Sequence, residues 1–294
     1  MEPVHSPLVS VIIPVYNGAK YLEETVRSVL SQTVTDMEVL VVNDESKDQS
    51  AAIVTKLAAE DNRVRLINKK NSGVADTRNT GISQARGKYI ALLDQDDVWC
   101  ETNLEEKIRA IENGTAKWAF SDIFYIDADG KELPKKEEFI TTDFYKNLLK
   151  WENVIPAPSG NIVAQRDFLG QDIRYDRMIP YPSDRDFCVQ LARKGEPVFV
   201  NKKLWKYRVH GESMSAVNKR ISLEMGMMYK KYIRNGFFPD RRTKKEALAR
   251  VYLMIAGICI RFTKERWRGL KYMFKSFLVS PSYFLHNMLK KAQL

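Results

Sequence analysis

Apolar positions in the N-terminal third of the chain keep two alternating rhythms. Val9 to Val15 (VSVIIPV) is a nearly continuous β-branched run ending just past Pro14, the pattern of a strand buried on both faces. Asn17-Gly18 turns the chain, and Leu22, Val26, Val29 and Leu30 then fall at helical spacing within Tyr21 to Leu30. The alternation repeats. Glu38 to Val42 reads as a second buried strand, Ala51 to Ala59 as a helix and Val64 to Ile67 as a third strand. Thr77 to Ala85 follows as a helix, and Tyr89 to Leu93 as a fourth strand running straight into Asp94. Strand and helix in strict alternation predict right-handed βαβ units and a mostly parallel sheet.

In such a sheet, ligands sit outside the carboxyl ends of the strands. The residues that follow the four strands are Tyr16-Asn17, Asn43-Asp44, Asn68 to Asn71 and Asp94 to Asp97. All are polar, and the topology gathers them along one edge as a ligand crevice. After Trp118 to Ile126 the alternation loosens. Asp127 to Phe139 reads as a charged hairpin around Asp129-Gly130, and Trp151 to Gln165 as an irregular segment leading into a strand. Helical spacing returns over Ser183 to Lys194, a strand over Pro197 to Tyr207, and helices with basic faces from about Ser222 onward.

Composition changes this picture in two places. The 294 residues carry 44% hydrophobic and 11% aromatic residues, ample for one large α/β domain with an appendage. Net charge is +10, yet Lys230 to Leu294 alone holds 16 basic against 3 acidic residues, an excess of +13, so everything before it sums to about −3. The basic character belongs to the tail, which argues against a nucleic-acid binder. Cys100, Cys188 and Cys259 are widely spaced apolar fillers with no paired motif, which fits a reducing cytoplasmic setting. Met1 to Leu8, with Pro3 and Pro7, lacks a signal pattern, and Val251 to Ile260 falls well short of the roughly 20 apolar residues a membrane span needs.

Four constellations carry candidate chemistry. Asp94-Gln95-Asp96-Asp97, at a strand end, suits a hard divalent cation, Mn2+ or Mg2+, with open positions for a nucleotide diphosphate; the plain alternative is an acidic turn with Asp97 starting a helix. Asp44 can accept the imide N–H of uracil, with Pro14 and Tyr16 walling the base, or it can simply shape a turn. Asp184, in Ser183-Asp184-Arg185-Asp186-Phe187, can take a proton from an attacking hydroxyl, or cap the helix that follows. In Tyr207-Arg208-Val209-His210, followed by Ser213 and Ser215, a neutral imidazole can ligate the metal and Arg208 can meet phosphate or sugar hydroxyls, or His210 can simply be a solvated loop residue.

VSVIIPVYNGAKYLEETVRSVLSQT, VVNDESKDQS, NSGVADTRNTGI, GKYIALLDQDDVW, SDRDFCVQLARKG and LWKYRVHGESMS occur in that order. Together these blocks, from about Pro7 to Ser215, resemble the inverting family 2 glycosyltransferases of the GT-A fold, mostly bacterial enzymes of surface polysaccharide synthesis. The resemblance implies that Pro14, Tyr16, Asp44, Asn71 and Arg78 hold uridine, and that Asp94 and Gln95 lie at the ribose and phosphates. It implies Asp96 as the metal-binding acid of a DxD motif, Asp184 as catalytic base, and Arg208 and His210 as the late phosphate and metal loop. The implied activity is that of a hexosyl- or N-acetylhexosaminyltransferase using a UDP-sugar. Two departures stand out: Ser183 occupies the place of an acid before the base, and Asn43 and Glu45 replace the first Asp and the Gly of a DDGS turn.

The expected organisation is therefore a GT-A nucleotide-sugar-binding domain over residues 1–220 and a basic helical region over 221–294. Arg261 to Leu289 interleaves Phe262, Trp267, Leu270, Tyr272, Met273, Phe274, Phe277, Leu278, Tyr283, Phe284 and Leu285 with Lys and Arg, which suits helices lying on an anionic bilayer at the inner face of the cell membrane. The alternative is a helical cap packed on the catalytic domain or on a second subunit. The expected acceptor is a growing polysaccharide or lipid-linked oligosaccharide, and no nucleic acid is expected as partner. A nucleotidyltransferase would want a Gly-rich, Arg-containing loop after the first strand, where this chain has Pro14-Val15-Tyr16-Asn17; a catalytically silent scaffold would not need Asp96, Asp184 and His210.

Overall fold

The computed structural model describes residues 6–134, 139–156, 158, 160–211, 219–261 and 265–292. Ser213, Ser215, Phe262 and the N-terminal Met1–His5, all named in the sequence reading, lie outside them. In chain order the first elements are β1 (Val9–Val15), α1 (Leu22–Leu30), β2 (Met37–Asn43), α2 (Ser50–Glu60), β3 (Val64–Asn68), α3 (Val74–Gln84) and β4 (Tyr89–Leu92). There follow β5 (Val98–Trp99), α4 (Asn103–Glu112), β6 (Trp118–Ile126), β7 (Glu132–Leu133), α5 (Phe144–Leu149), β8 (Val163–Gln165) and α6 (Arg166–Leu169). The remainder is α7 (Ser183–Lys194), β9 (Val198–Arg208), α8 (Lys219–Arg234), α9 (Arg241–Arg261), α10 (Arg266–Val279) and α11 (Pro281–Ala292).

The strands form one mixed sheet in the order β3-β2-β1-β4-β8-β6-β9-β5, with β7 folded back on β6. The expected parallel core is β3-β2-β1-β4, in register from Val9 opposite Met37 and Tyr89. The other half is built on antiparallel β8, which joins β4 to β6. Its hairpin, Tyr125 opposite Leu133 and Ile126 opposite Glu132, closes the charged 127–134 stretch.

Alternation explains the unbroken apolar run of β1. Val9, Val11, Ile13 and Val15 enter the apolar cluster under α1, α2 and α4, with Val39 and Val41 of β2. Ile12, Leu40 and Val42 face the opposite layer with α3, α5 and α7. Both faces are covered, so neither needs polar residues. Ser10 is the exception, and it pairs with Glu38 Oε1 at 2.7 Å.

That second layer does not stop near residue 220. Met225, Met228, Tyr229 and Tyr232 of α8 and Ala247, Val251, Ile255 and Cys259 of α9 belong to the same cluster as Phe187 and Leu191 of α7. α8 and α9 thus share a core with the α/β domain. On α10 only Gly269 and Ser276 are buried, while Trp267 is 86% exposed.

Candidate active site

The parallel strands end in register at Val15, Asn43 and Asn68, which brings their polar successors together. Tyr16 lies just past β1 and is 49% exposed, whereas Pro14 is buried within the strand. The amide of Gln95 straddles the Tyr16 backbone: Oε1 accepts the Tyr16 N–H at 2.9 Å and Nε2 donates to its carbonyl at 3.3 Å. Gln95 therefore ties the end of β1 to the acidic turn after β4.

Asp44 is buried and heavily used. Its Oδ1 accepts from Lys69 Nζ at 2.6 Å and from Ser72 N–H at 3.0 Å, and Oδ2 accepts from Gly73 N–H at 2.9 Å. Its carbonyl accepts from Asn71 Nδ2 at 3.1 Å. These bonds fold residues 69–73 back over the end of β2, and Gly73, at φ 88, supplies the left-handed turn into α3. That turn starts α3 at Val74, before the expected Thr77. Glu45, standing where the resembling turn has Gly, also adopts a left-handed φ of 62.

Arg78 lies beneath the crevice. Nη1 donates to Asp184 Oδ1 and Nη2 to Asp94 Oδ1, both at 2.6 Å, and the guanidinium stacks 5.1 Å from the Tyr175 ring. The two carboxylates hold its pKa far above the ordinary arginine value despite burial. Arg78, which the resemblance puts at uridine, links the β4 turn to α7 and brings Asp94 and Asp184 to one place.

Asp184 is in the first turn of α7, where exposed N–H groups favour a carboxylate. Ser183, in the place of the family acid, is buried, and its hydroxyl donates to the Pro180 carbonyl at 2.8 Å. It fixes the turn that delivers Asp184.

Asp96 Oδ2 and His210 Nε2 are hydrogen-bonded at 2.8 Å, uniting the two expected metal ligands from opposite ends of the site. Burial, then the charge of Asp94, raises the Asp96 carboxyl above its usual range, against the opposing pull of His210. Among the described residues no group of three or more His, Cys, Asp or Glu is arranged to hold a metal. A two-ligand pair nevertheless fits Mg2+ or Mn2+, which commonly take one or two protein ligands and complete their shell with substrate phosphates and water.

Arg208, which the resemblance puts at the phosphates, hydrogen-bonds within the protein. It is buried, with Nε on the Asp96 carbonyl at 2.8 Å, Nη1 on the Asp127 and Ala128 carbonyls at 3.3 and 3.2 Å, and Nη2 on Glu24 Oε2 at 2.6 Å. The guanidinium also covers the Tyr21 ring, so its donors face the protein rather than the crevice. Asp97, also fully buried, receives the Arg208 backbone N–H at 2.8 Å. Burial and the neighbouring Asp96 and Asp94 push its carboxyl well above the normal range. Glu24 and Tyr21 are the residues sequence reasoning missed here, because their role arises only when the end of β9 meets the start of α1.

Comparison with known proteins agrees with this architecture. A solved structure of S. aureus TarS 1-349 in complex with UDP-GlcNAc superposes with TM-score 0.71 at 19% identity, covering 94% of this chain and 82% of that one. A mannosyltransferase from Pyrobaculum calidifontis, solved with GDP-Man and Mn2+, superposes with TM-score 0.64 at 17% identity over 98% and 80%. These likenesses show a shared GT-A-like fold. Among sequences, the putative teichuronic acid biosynthesis glycosyltransferase TuaG of Bacillus subtilis is 30% identical over 79% of this chain and 90% of its own length. An uncharacterized glycosyltransferase of Rickettsia bellii is 31% identical over 71% of this chain, a region that is only 30% of that longer protein. The model of glycosyl transferase family 2 matches residues 10–171, more than half of the sequence, and this chain belongs to that family.

Proposed function

We propose that this protein transfers a sugar from a UDP-sugar to a hydroxyl of a glycan or lipid-linked acceptor, with inversion, by a single displacement. The observation that carries the reading is the joining of Asp184 to Asp94 through Arg78, beside the Asp96–His210 pair. One crevice thus holds a carboxylate able to act as a base and a polar set suited to a nucleotide diphosphate.

In this reading Asp184 accepts the proton of the acceptor hydroxyl as its oxygen bonds to the anomeric carbon and the bond to the diphosphate breaks. Asp96 and His210 would hold Mn2+ or Mg2+, which supplies charge neutralisation at the leaving diphosphate. The Tyr16 ring offers a face to the base. A carboxylate has about four acceptor sites, and three of those on Asp44 are taken, which leaves one for the uracil imide. Arg208 acts as a positioning residue that fixes the backbone of Asp96 rather than as a phosphate ligand.

The teichuronic acid name of one relative and the UDP-GlcNAc bound to TarS support a growing glycan as acceptor and a UDP-sugar as donor. No helix among the described residues is long and apolar enough to cross a membrane. The outer face of α10 instead aligns Trp267, Leu270, Phe274 and Leu278, all exposed, beside exposed Arg266, Arg268, Lys271 and Lys275. From Arg266 to Leu294 there is no acidic residue. Such a face matches an anionic bilayer and repels a second copy of itself, so we place the enzyme peripherally at the cytoplasmic membrane surface. The test of function is release of UDP from a panel of UDP-sugars with Mn2+, Mg2+ or EDTA. Metal-dependent release from at least one donor supports the reading, and no release from any donor, with UDP failing to bind, defeats it.

A further inference from the structure

The stretch from Tyr175 to Ser183 that presents Asp184 is held from outside the crevice by one face of α8. Glu224 Oε2 accepts the Tyr181 N–H at 2.9 Å. Lys231, about two helical turns further along the same face, donates to Asp176 Oδ2 at 2.9 Å and to Asp186 Oδ2 at 2.8 Å. The three anchored residues bracket Asp184 on both sides in sequence.

These contacts are sheltered. Glu224 is buried and Asp186 fully so, and burial raises the Asp186 carboxyl while Lys231 opposes the rise. Gln190 Nε2 completes the arrangement, donating to Asp186 Oδ2 at 2.8 Å and to the Arg174 carbonyl at 2.9 Å. On the crevice side, Arg78 Nη1 donates to Asp184 Oδ1. Arg78 fixes where the carboxylate points. The α8 contacts fix where the turn carrying it stands.

We propose that Glu224 and Lys231 are positioning residues of the active site, which makes α8 a working part of the catalytic machinery rather than an appendage to it. The inference rests on Asp184 being the base. The hydrogen bonds of both residues end on the 176–186 stretch, so their loss should displace the base more than the nucleotide pocket. Displacement of a reacting group by about 1 Å can cost up to about 10²-fold in rate, and the expected effect is a fall in kcat.

The test uses full-length E224A, E224Q, K231M and K231R. Turnover is followed as UDP release from the UDP-sugar that wild type uses fastest, with UDP affinity by calorimetry and the melting temperature in parallel. E224A and K231M should lower kcat by roughly 10-fold or more while UDP affinity stays near wild type, a split expected when only the reacting geometry is lost. E224Q keeps an oxygen acceptor for the Tyr181 N–H, K231R keeps a cation, and both should recover most of the rate. The proposal is overturned if folded E224A and K231M turn over like wild type, or if kcat and UDP affinity fall together. Should K231M fail to fold, the E224A and E224Q pair decides by the same criteria. Asp184→Asn separates the two readings: if it remains active, the base assignment fails, whereas loss of activity there with wild-type rates in E224A and K231M sinks only the role of α8.

Discussion

Cutting the chain after Asp240 and cutting it after Glu265 should have opposite consequences. The first cut removes α9, whose Ala247, Val251, Ile255 and Cys259 lie in the core cluster, and uncovers Met228, Tyr229 and Tyr232 of α8. Each large apolar side chain transferred to water costs about 1.5–3 kcal/mol. Losing Val251 and Ile255 and opening a comparable area of α8 therefore costs on the order of 6–12 kcal/mol, against a typical total stability of about 5–15 kcal/mol. The second cut removes α10 and α11, which contribute buried Gly269 and Ser276, a partly buried Tyr272 against the core, and bonds from Ser276 Oγ to the Ala249 carbonyl at 2.8 Å and from the Tyr283 hydroxyl to Glu152 Oε1 at 2.7 Å. That cut should cost about 2–5 kcal/mol, well below the first. It also removes the four exposed basic residues of α10, worth about 1 kcal/mol each at an anionic surface. Thermal melts followed by circular dichroism should show the 1–265 chain folded and the 1–240 chain without a cooperative transition. In sedimentation with phosphatidylglycerol vesicles, full-length protein should pellet at low salt and release at high salt, while 1–265 stays in solution. A 1–240 chain that melts like wild type would refute the packing argument, and a 1–265 chain that still pellets would refute the membrane face.

Three further outcomes follow from the site. Arg78→Met leaves two carboxylates facing each other without their buried counter-ion, so urea unfolding should show a loss of about 3–5 kcal/mol; an unchanged midpoint would mean that the bridge is not made in solution. Glu45→Gly relieves a left-handed conformation that costs an L-residue about 1–2 kcal/mol, and the same unfolding assay should show a net gain of about 1 kcal/mol after glycine's greater chain entropy is allowed for. Asp96→Ala should abolish the metal dependence of UDP affinity, seen as calorimetric titrations with and without Mn2+ that coincide; a retained difference would place the metal elsewhere.

Much of the fold is legible because it is local. The strand β1, the helix α1 and the βαβ alternation of the parallel half follow from period and turn residues within short windows. The crevice was legible for the same reason: whatever follows a parallel strand lands on one edge. The helix α4 went unassigned although Leu104, Ile108 and Ile111 carry its buried face. What the sequence does not display is partnership across distance. Arg78 and Asp184 are 106 residues apart, and Glu24 and Arg208 are 184 apart. An arginine in a polar loop reads the same whether it faces a phosphate or is folded inward onto carbonyls, and Arg208 is the second kind. The tail likewise shows basic residues and aromatics in every helix, and only packing separates α9, which fills the core, from α10, which presents its apolar stripe to solvent.

Central to the account is that a single carboxylate, Asp184, carries proton transfer without binding the nucleotide. The direct measurement is turnover and UDP affinity for Asp184→Asn beside wild type, with UDP release as the rate and calorimetry for binding. A general base contributes about 10²–10⁴-fold, so kcat should fall by at least about 10²-fold while UDP affinity is kept. An Asp184→Asn enzyme retaining more than about a tenth of wild-type kcat, well above what loss of a base allows, would contradict the mechanism.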